Sequence, residues 1–455
     1  MTDEAAPQTG AKRLADDTLV VFASDVHIGG AHGTEIFESV AELTALAREL
    51  EQHTEPVELV LLGDFLDLQR MGPSGHVNDR VAETLGRADY AVLFDALREF
   101  RSSAGHRVTY VMGNHDAELW WNAELRQMLL DNGLVDEFAL SYTARFESSR
   151  DHLIHGEHGN QFDPSNRFTD YGDPLDTPIG SHVVDDIVRP LGSGARLTGN
   201  LDLRDVSYVF PLATIPEWIA GRIFYRFLAE ALRWIAMIFV IAYLIHATLD
   251  WLGSSDPVGS KTQVVLRELV YHIGLLLLVA VVVFIAGGRL AKRALAALEL
   301  RMSGESSDSV PDAIRSVLRA DGPLPMAPGV DSRDVAVFMS GHTHDPSSTT
   351  VERHDGRTTA LVNTGCWLRQ LHPVAARFGA PRVFVPVFVQ THGRVRRTDD
   401  GIVVELWSYP KRAPAALPWI ERAAVAGRLP RPTRAGAAPQ VIDRQLVHGR
   451  NPAST

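Results

Sequence analysis

The chain alternates short apolar or β-branched runs with stretches whose apolar residues recur at helical spacing. Residues 18–23 read as a buried strand. Residues 34–52 carry Ile36, Val40, Leu43, Leu46 and Leu50 on one repeating face. A second strand is predicted at 58–62, an amphipathic helix at 80–101, a third strand at 107–112 and a helix at 117–130. Residues 138–147 and 152–155 read as an antiparallel pair, and 166–216 show turn chemistry without a clear period. Further strands are expected at 334–339, 358–363, 382–391 and 401–409. This rhythm predicts an α/β fold in which sheet packs against helices.

The middle of the chain breaks the rhythm. Residues 234–249 (WIAMIFVIAYLIHATL) and 269–286 (LVYHIGLLLLVAVVVFIA) are almost wholly apolar, and with their flanks each approaches the ~20 residues that cross a bilayer. A short polar turn, 253–260, joins them. Arg222, Arg226 and Arg233 precede the first segment, and Arg289, Lys292 and Arg293 follow the second. The charge bias puts both outer flanks in the cytoplasm. Membrane contact is therefore expected through 234–252 and 268–287, as a hairpin inserted inside a soluble domain. The alternative is a pair of buried core or dimer helices. Trp218, Ile219, Ile223, Phe224 and Phe227, mixed with Arg222 and Arg226, suggest an interfacial amphipathic helix just before it.

Composition narrows the classes. The 455 residues are 45% hydrophobic with a formal charge of −12, which argues against a general nucleic-acid binder. One cysteine, Cys366, excludes an intramolecular disulfide framework. Residues 1–17 lack the apolar core of a signal peptide and read as a disordered lead-in. Residues 411–455 hold eight Lys/Arg against two acidic residues and read as a mostly disordered basic tail.

The chemistry sits where strands give way to loops, the usual place for ligand sites in open α/β sheets. Asp25-Val26-His27, Gly63-Asp64 with Asp67, Gly113-Asn114-His115-Asp116, His155-Gly156 and Gly341-His342-Thr343-His344 follow one another along the chain. Asp, His and Asn suit Mn, Fe, Zn or Ni. Two such ions ~3.5–4 Å apart can bind an attacking hydroxide and the phosphoryl oxygens together.

In this order the islands resemble the calcineurin-like metallophosphoesterase superfamily, over residues 18–165 and 334–409. The resemblance implies a two-sheet sandwich flanked by helices and a pair of divalent cations, manganese foremost. Asp25, His27 and His344 would bind the first ion, Asp64 would bridge, and Asn114, His155 and His342 would complete the second. His155 is chosen over His152 and His158 for its place at a strand end before glycine. His115 would contact the phosphate and protonate the leaving oxygen, with Asp116 and Asp67 orienting imidazoles. Asn160, Arg167 and Trp120 are candidate substrate contacts. Among bacterial members the chain looks most like the branch near UDP-2,3-diacylglucosamine hydrolases. That branch usually has Arg at the position of His115, which leaves the substrate open.

The expected organisation is thus a phosphoesterase domain in two parts, 18–216 and 334–410. Between them lie the interfacial helix and hairpin, 217–300, and a connector, 301–333. The expected activity is hydrolysis of a phosphate ester or pyrophosphate, on a lipid-linked substrate if the hairpin enters a plasma or inner membrane. The alternative is a non-catalytic membrane scaffold that keeps the fold. A nuclease is disfavoured by the acidic balance.

Overall fold

The structure, a computed structural model, describes residues 11–448 apart from 31–34, 72–76, 150–151, 184–203, 212–213, 254, 256, 303–308, 412–416 and 430–437. The lead-in through residue 10, much of 166–216 and the last tail residues lie outside the described residues, as does the side chain of Lys292.

Two sheets face each other. The larger holds β2 (Leu19–Ala23), β3 (Val57–Leu62), β4 (Arg107–Val111) and β5 (Glu137–Ala139), with β13 (Trp367–Val374), β14 (Val383–Thr398), β15 (Gly401–Ser408) and β16 (Gln440–His448). Its order is β16-β15-β14-β2-β3-β4-β5, with β13 paired to β14. The smaller runs β1-β6-β7-β10-β12-β11, from β1 (Lys12–Leu14), β6 (Tyr142–Phe146), β7 (Leu153–Gly156), β10 (Val335–Ser340), β11 (Ser347–Glu352) and β12 (Thr358–Asn363). A hairpin of β8 (Pro323–Leu324) and β9 (Ala327–Asp331) stands apart.

Strands such as β2 are apolar at every position because both faces are covered. Val20 and Phe22 meet Ile154, Val337 and Met339 between the sheets, whereas Leu19 and Val21 pack under helices Val40–Glu51 and Ala88–Ser102. Helix Val310–Arg319 covers the smaller sheet with Ile314 and Leu318.

Several expectations change. The helix predicted at 80–101 is two, Val77–Leu85 and Ala88–Ser102, broken at Gly86-Arg87, and that at 117–130 is broken at Asn122. The lead-in contributes β1, paired in parallel with β6, and the connector contributes Val310–Arg319. The tail is not simply disordered: Trp419–Ala424 buries Ile420 and Ala424, and β16 pairs with β15.

Helices Ile215–Gly253 and Val258–Met302 are both long and apolar enough to cross a membrane. Ile238, Leu249, Val270 and Leu277 are each about three-fifths exposed, so these are not buried core helices. The expected interfacial helix is the first four turns of Ile215–Gly253. Its inner face, Trp218, Gly221, Tyr225 and Leu228, is buried, and Trp218 and Tyr225 pack against Phe384 and Val383 of β14. Phe227 and Ile223 face outward.

Candidate metal centre

The turns after β2, β3, β4, β7 and β10 converge at one end of the sandwich. Among the described residues seven non-glycines have positive φ, and five of them are Asp25, His27, Asp64, His342 and His344. L-residues adopt this region at a cost of order 1–3 kcal/mol, and such strain gathers at functional sites. Gly113 and Gly341 let backbone pass where a Cβ would strike the carboxylates of Asp64 and Asp25.

Asp64 Oδ2 lies 3.3 Å from His158 Nε2 and 3.8 Å from His27 Nε2, so it stands between two halves of the cluster. On one side His344 Nε2 is 3.2 Å from His27 Nε2 and 3.1 Å from Asp25 Oδ1. On the other, His158 Nε2 is 3.2 Å from Asn114 Oδ1 and 3.9 Å from Asp25 Oδ1. Asp25-His27-His344 and Asp25-Asp64-His158 are each compact enough to share one ion.

Hydrogen bonds around the rim fix which atoms carry lone pairs. His27 Nδ1–H donates to Asp67 Oδ2 at 3.1 Å, and His158 Nδ1–H donates to the Leu62 carbonyl at 3.0 Å. In each ring Nε2 is therefore the nitrogen left to face a cation. The Nε2 of His158 then points at the oxygens of Asp64 and Asn114. Asp25 Oδ1 is buried without a hydrogen bond. Converging lone pairs of this kind fit divalent cations, and N and O donors are the right chemistry for Mn, Fe, Zn or Ni. Burial opposes charge on Asp25 and Asp64, yet the neighbouring imidazoles hold both carboxyls below their ordinary range. Burial also works against the charged form of His158, but Asp64 and Asp25 push it up to about 10, so a cation at Nε2 would take the place of a proton.

His342 joins through its backbone N–H, which donates to Asp25 Oδ2 at 2.9 Å. Its Nε2 meets Asp163 Oδ2 at 3.0 Å, leaving Nδ1 as its free lone pair. Burial and then the His342 bond bear on Asp163, whose carboxyl is lowered to about 2. His115 stands edge-on to His27, ring centroids 4.7 Å apart, and its Nδ1 meets Asp67 Oδ1 at 2.9 Å. Asp67 also takes Arg70 Nε at 2.9 Å, so one buried carboxylate orients His27 and His115.

The structure does not bring His155 into this cluster. Its side chain shares the outer face of β7 with Leu153, with its ring 5.2 Å from that of Phe338 and Nε2 3.4 Å from Glu157 Oε1. Period-two alternation along the strand puts it there. His158, two residues past the strand end, takes the place expected of it. Asp116 does not orient an imidazole: it accepts from Gly113 N–H, Phe65 N–H and Tyr110 O–H, holding the turn. Burial and the Asp64 charge raise its carboxyl to about 7.

Among the proposed substrate contacts, Asn160 bonds Tyr171 O–H and the Asn166 carbonyl. Trp120 packs against the helical core, and Arg167 is exposed. Cys366 is buried, and burial pushes its thiol up. Asp163, Arg70 and Gln69, which donates to the Asn114 carbonyl at 2.9 Å, are site residues without a sequence motif of their own.

Residues 18–212 match the family model described as calcineurin-like phosphoesterase. No curated protein matches the chain at a significant level.

Proposed function

We propose, for a chain that belongs to the calcineurin-like phosphoesterase superfamily and is a metal-dependent phosphoester hydrolase, that a divalent cation pair is held by Asp25, His27, Asp64, Asn114, His158, His342 and His344. The observation that carries this is the convergence of imidazole nitrogens and carboxylate oxygens on both sides of Asp64. When bound, the pair supplies a water of lowered pKa and neutralises charge on phosphoryl oxygens. Asp64 serves both sides of the cluster. Asp67 fixes the rings of His27 and His115. With Nδ1 so held, His115 offers Nε2 to the leaving oxygen as a general acid.

The same reading anchors the enzyme in a membrane with the catalytic domain on the cytoplasmic side. Arg222, Arg226, Arg233 and Arg289 all lie at the domain end of the two helices, as the positive-inside rule requires. A lipid-linked phosphoester fits because the hairpin base adjoins the site. Gln370 Nε2 donates to the His344 carbonyl at 3.0 Å, and the next residue, Leu371, packs with Trp218 of the first long helix. An ester held in the head-group layer is thus presented close to the cluster.

Detergent-solubilised protein with Mn²⁺ should hydrolyse p-nitrophenyl phosphate or its bis ester, and Asp64→Asn should lower turnover by roughly a thousandfold or more. Wild-type inactivity with Mn, Fe, Zn and Ni alike would sink the assignment. Faster turnover of a soluble phosphoester than of its lipid-linked counterpart in liposomes would sink the substrate class alone.

A further inference from the structure

The turns of the candidate metal centre follow the C-terminal ends of β7 and β10. At the opposite ends of those strands lies a second cleft, of about 230 Å³. It is lined from both sheets, by Val335 and Ala336 of β10, Thr358 of β12 and Val447 of β16, together with three arginines, Arg333, Arg353 and Arg357. Among the described residues the lining holds one carboxylate, Asp334, which is exposed and pairs with Arg145 at 3.5 Å. The length of β10, Val335–Ser340, separates this cleft from the metal centre by about 20 Å at ~3.3 Å per residue.

Arg353 is the member that points to a ligand. It is only 7% exposed, and its Nε and Nη2 donate to Thr359 Oγ1 at 2.9 and 2.6 Å, with Nη2 also reaching the Val335 carbonyl. One edge of the guanidinium is thereby occupied. Nη1, at its other side, is buried and has no hydrogen-bond partner. Arg333 and Arg357 are each matched at 2.6 Å by a carboxylate of their own, Asp331 and Asp355, whereas among the described residues no carboxylate pairs with Arg353. Burial, and then the charge of Arg357, hold its pKa below the ordinary value, yet a guanidinium stays protonated in proteins. A buried charge without a counter-charge is unfavourable. An anion in the cleft supplies both what Nη1 lacks and what the charge lacks.

We propose that this cleft binds a small oxyanion of the phosphate class, held from within by Arg353 and at the outer side by Arg357 and Arg333, which are half-buried and exposed. The turn between β11 and β12 builds the pair: Arg353 N–H donates to the Arg357 carbonyl at 3.0 Å, and Gly356 takes the positive φ of 79° that the reversal requires. The two arginines thus oppose one another across the hairpin. Guanidinium forks match the oxygens of phosphate and carboxylate alike, and a dianion answers more than one of them. The volume falls below the ~300 Å³ at which pockets for drug-sized ligands begin, which favours a single small ion over a nucleotide.

The test is equilibrium dialysis of radiolabelled inorganic phosphate against full-length, detergent-solubilised protein stripped of divalent cations, so that no metal-held phosphate is counted. Wild type should bind phosphate saturably. Arg353→Gln should weaken that binding roughly tenfold or more, the scale of a lost charge-assisted hydrogen bond. Arg333→Gln/Arg357→Gln replaces side chains that are 57% and 36% exposed, so it keeps the test open if the buried substitution unfolds the chain. It should weaken binding about threefold or more. Sulfate should displace the label more strongly than acetate. Absence of binding by wild type, or undiminished binding by either variant that folds, overturns the site. Stronger displacement by acetate than by sulfate overturns the phosphate class. The measurement uses no turnover and no metal, so its outcome is independent of the phosphoesterase reading.

Discussion

A histidine can hold a cation only through an unprotonated nitrogen, and the partner of its other nitrogen decides whether one is free. His27 and His158 meet that condition through Asp67 and the Leu62 carbonyl. His155 instead sits in an apolar layer beside Thr143 and the buried carboxylate of Glu157. His158→Ala should therefore weaken metal binding by roughly a hundredfold or more. His155→Ala should leave metal content intact but cost about 2–5 kcal/mol in thermal unfolding, by opening a cavity beside Phe338. The other islands already hold the clue to this difference. Asp25, Asp64, Asn114 and His342 each lie two or three residues beyond a strand end, as His158 does, while His155 lies within β7. Both histidines precede a glycine, so the dipeptide alone could not separate them. Asp67 was expected to orient imidazoles and does so; the role of Asp163 was harder to assign, because a hydrogen bond to an imidazole leaves no trace in sequence spacing.

At the scale of elements, hydrophobic patterning reveals what burial dictates and little else. β2, β3 and β10 are buried throughout and were legible as strands. In β16 only Val447 is buried; the strand belongs to its sheet through backbone pairing with β15, and a basic, Pro/Ala/Arg-rich composition hides it. β1 is hidden for the same reason. The helix Val40–Glu51 is tied to the sheet by polar contacts as well: Arg394 of β14 grips Glu49 with bonds of 2.8 and 3.0 Å, and Tyr409 O–H adds a third. Burial opposes ionisation of Glu49, but Arg394 and Tyr409 hold its carboxyl below the ordinary value. A carboxyl lowered by folding stabilises above its unfolded pKa and loses that contribution as pH falls through the folded value. Wild type should thus melt above Glu49→Gln at pH 7, and the two melting temperatures should converge below about pH 4.

The molecule as a whole is a phosphoesterase sandwich cut by two exposed apolar helices. Their length and charge flanks were plain in the sequence; that the first runs unbroken from the sandwich was not, since its lower turns mix arginine with aromatics. Replacing residues 234–287 with a short Gly/Ser linker should give protein soluble without detergent, because the exposed apolar surface goes with it. Turnover of p-nitrophenyl phosphate should stay within about threefold of wild type, because the site belongs to the sandwich. Hydrolysis of a liposome-borne ester should fall at least tenfold.

Because the helices interrupt the sandwich, the ribosome releases Asp25 through His158 well before His342 and His344. The last two imidazoles emerge only after both apolar helices have been made, and until then the nascent chain holds an incomplete cage. The order of synthesis therefore delays a complete set of donors until both apolar helices have left the ribosome.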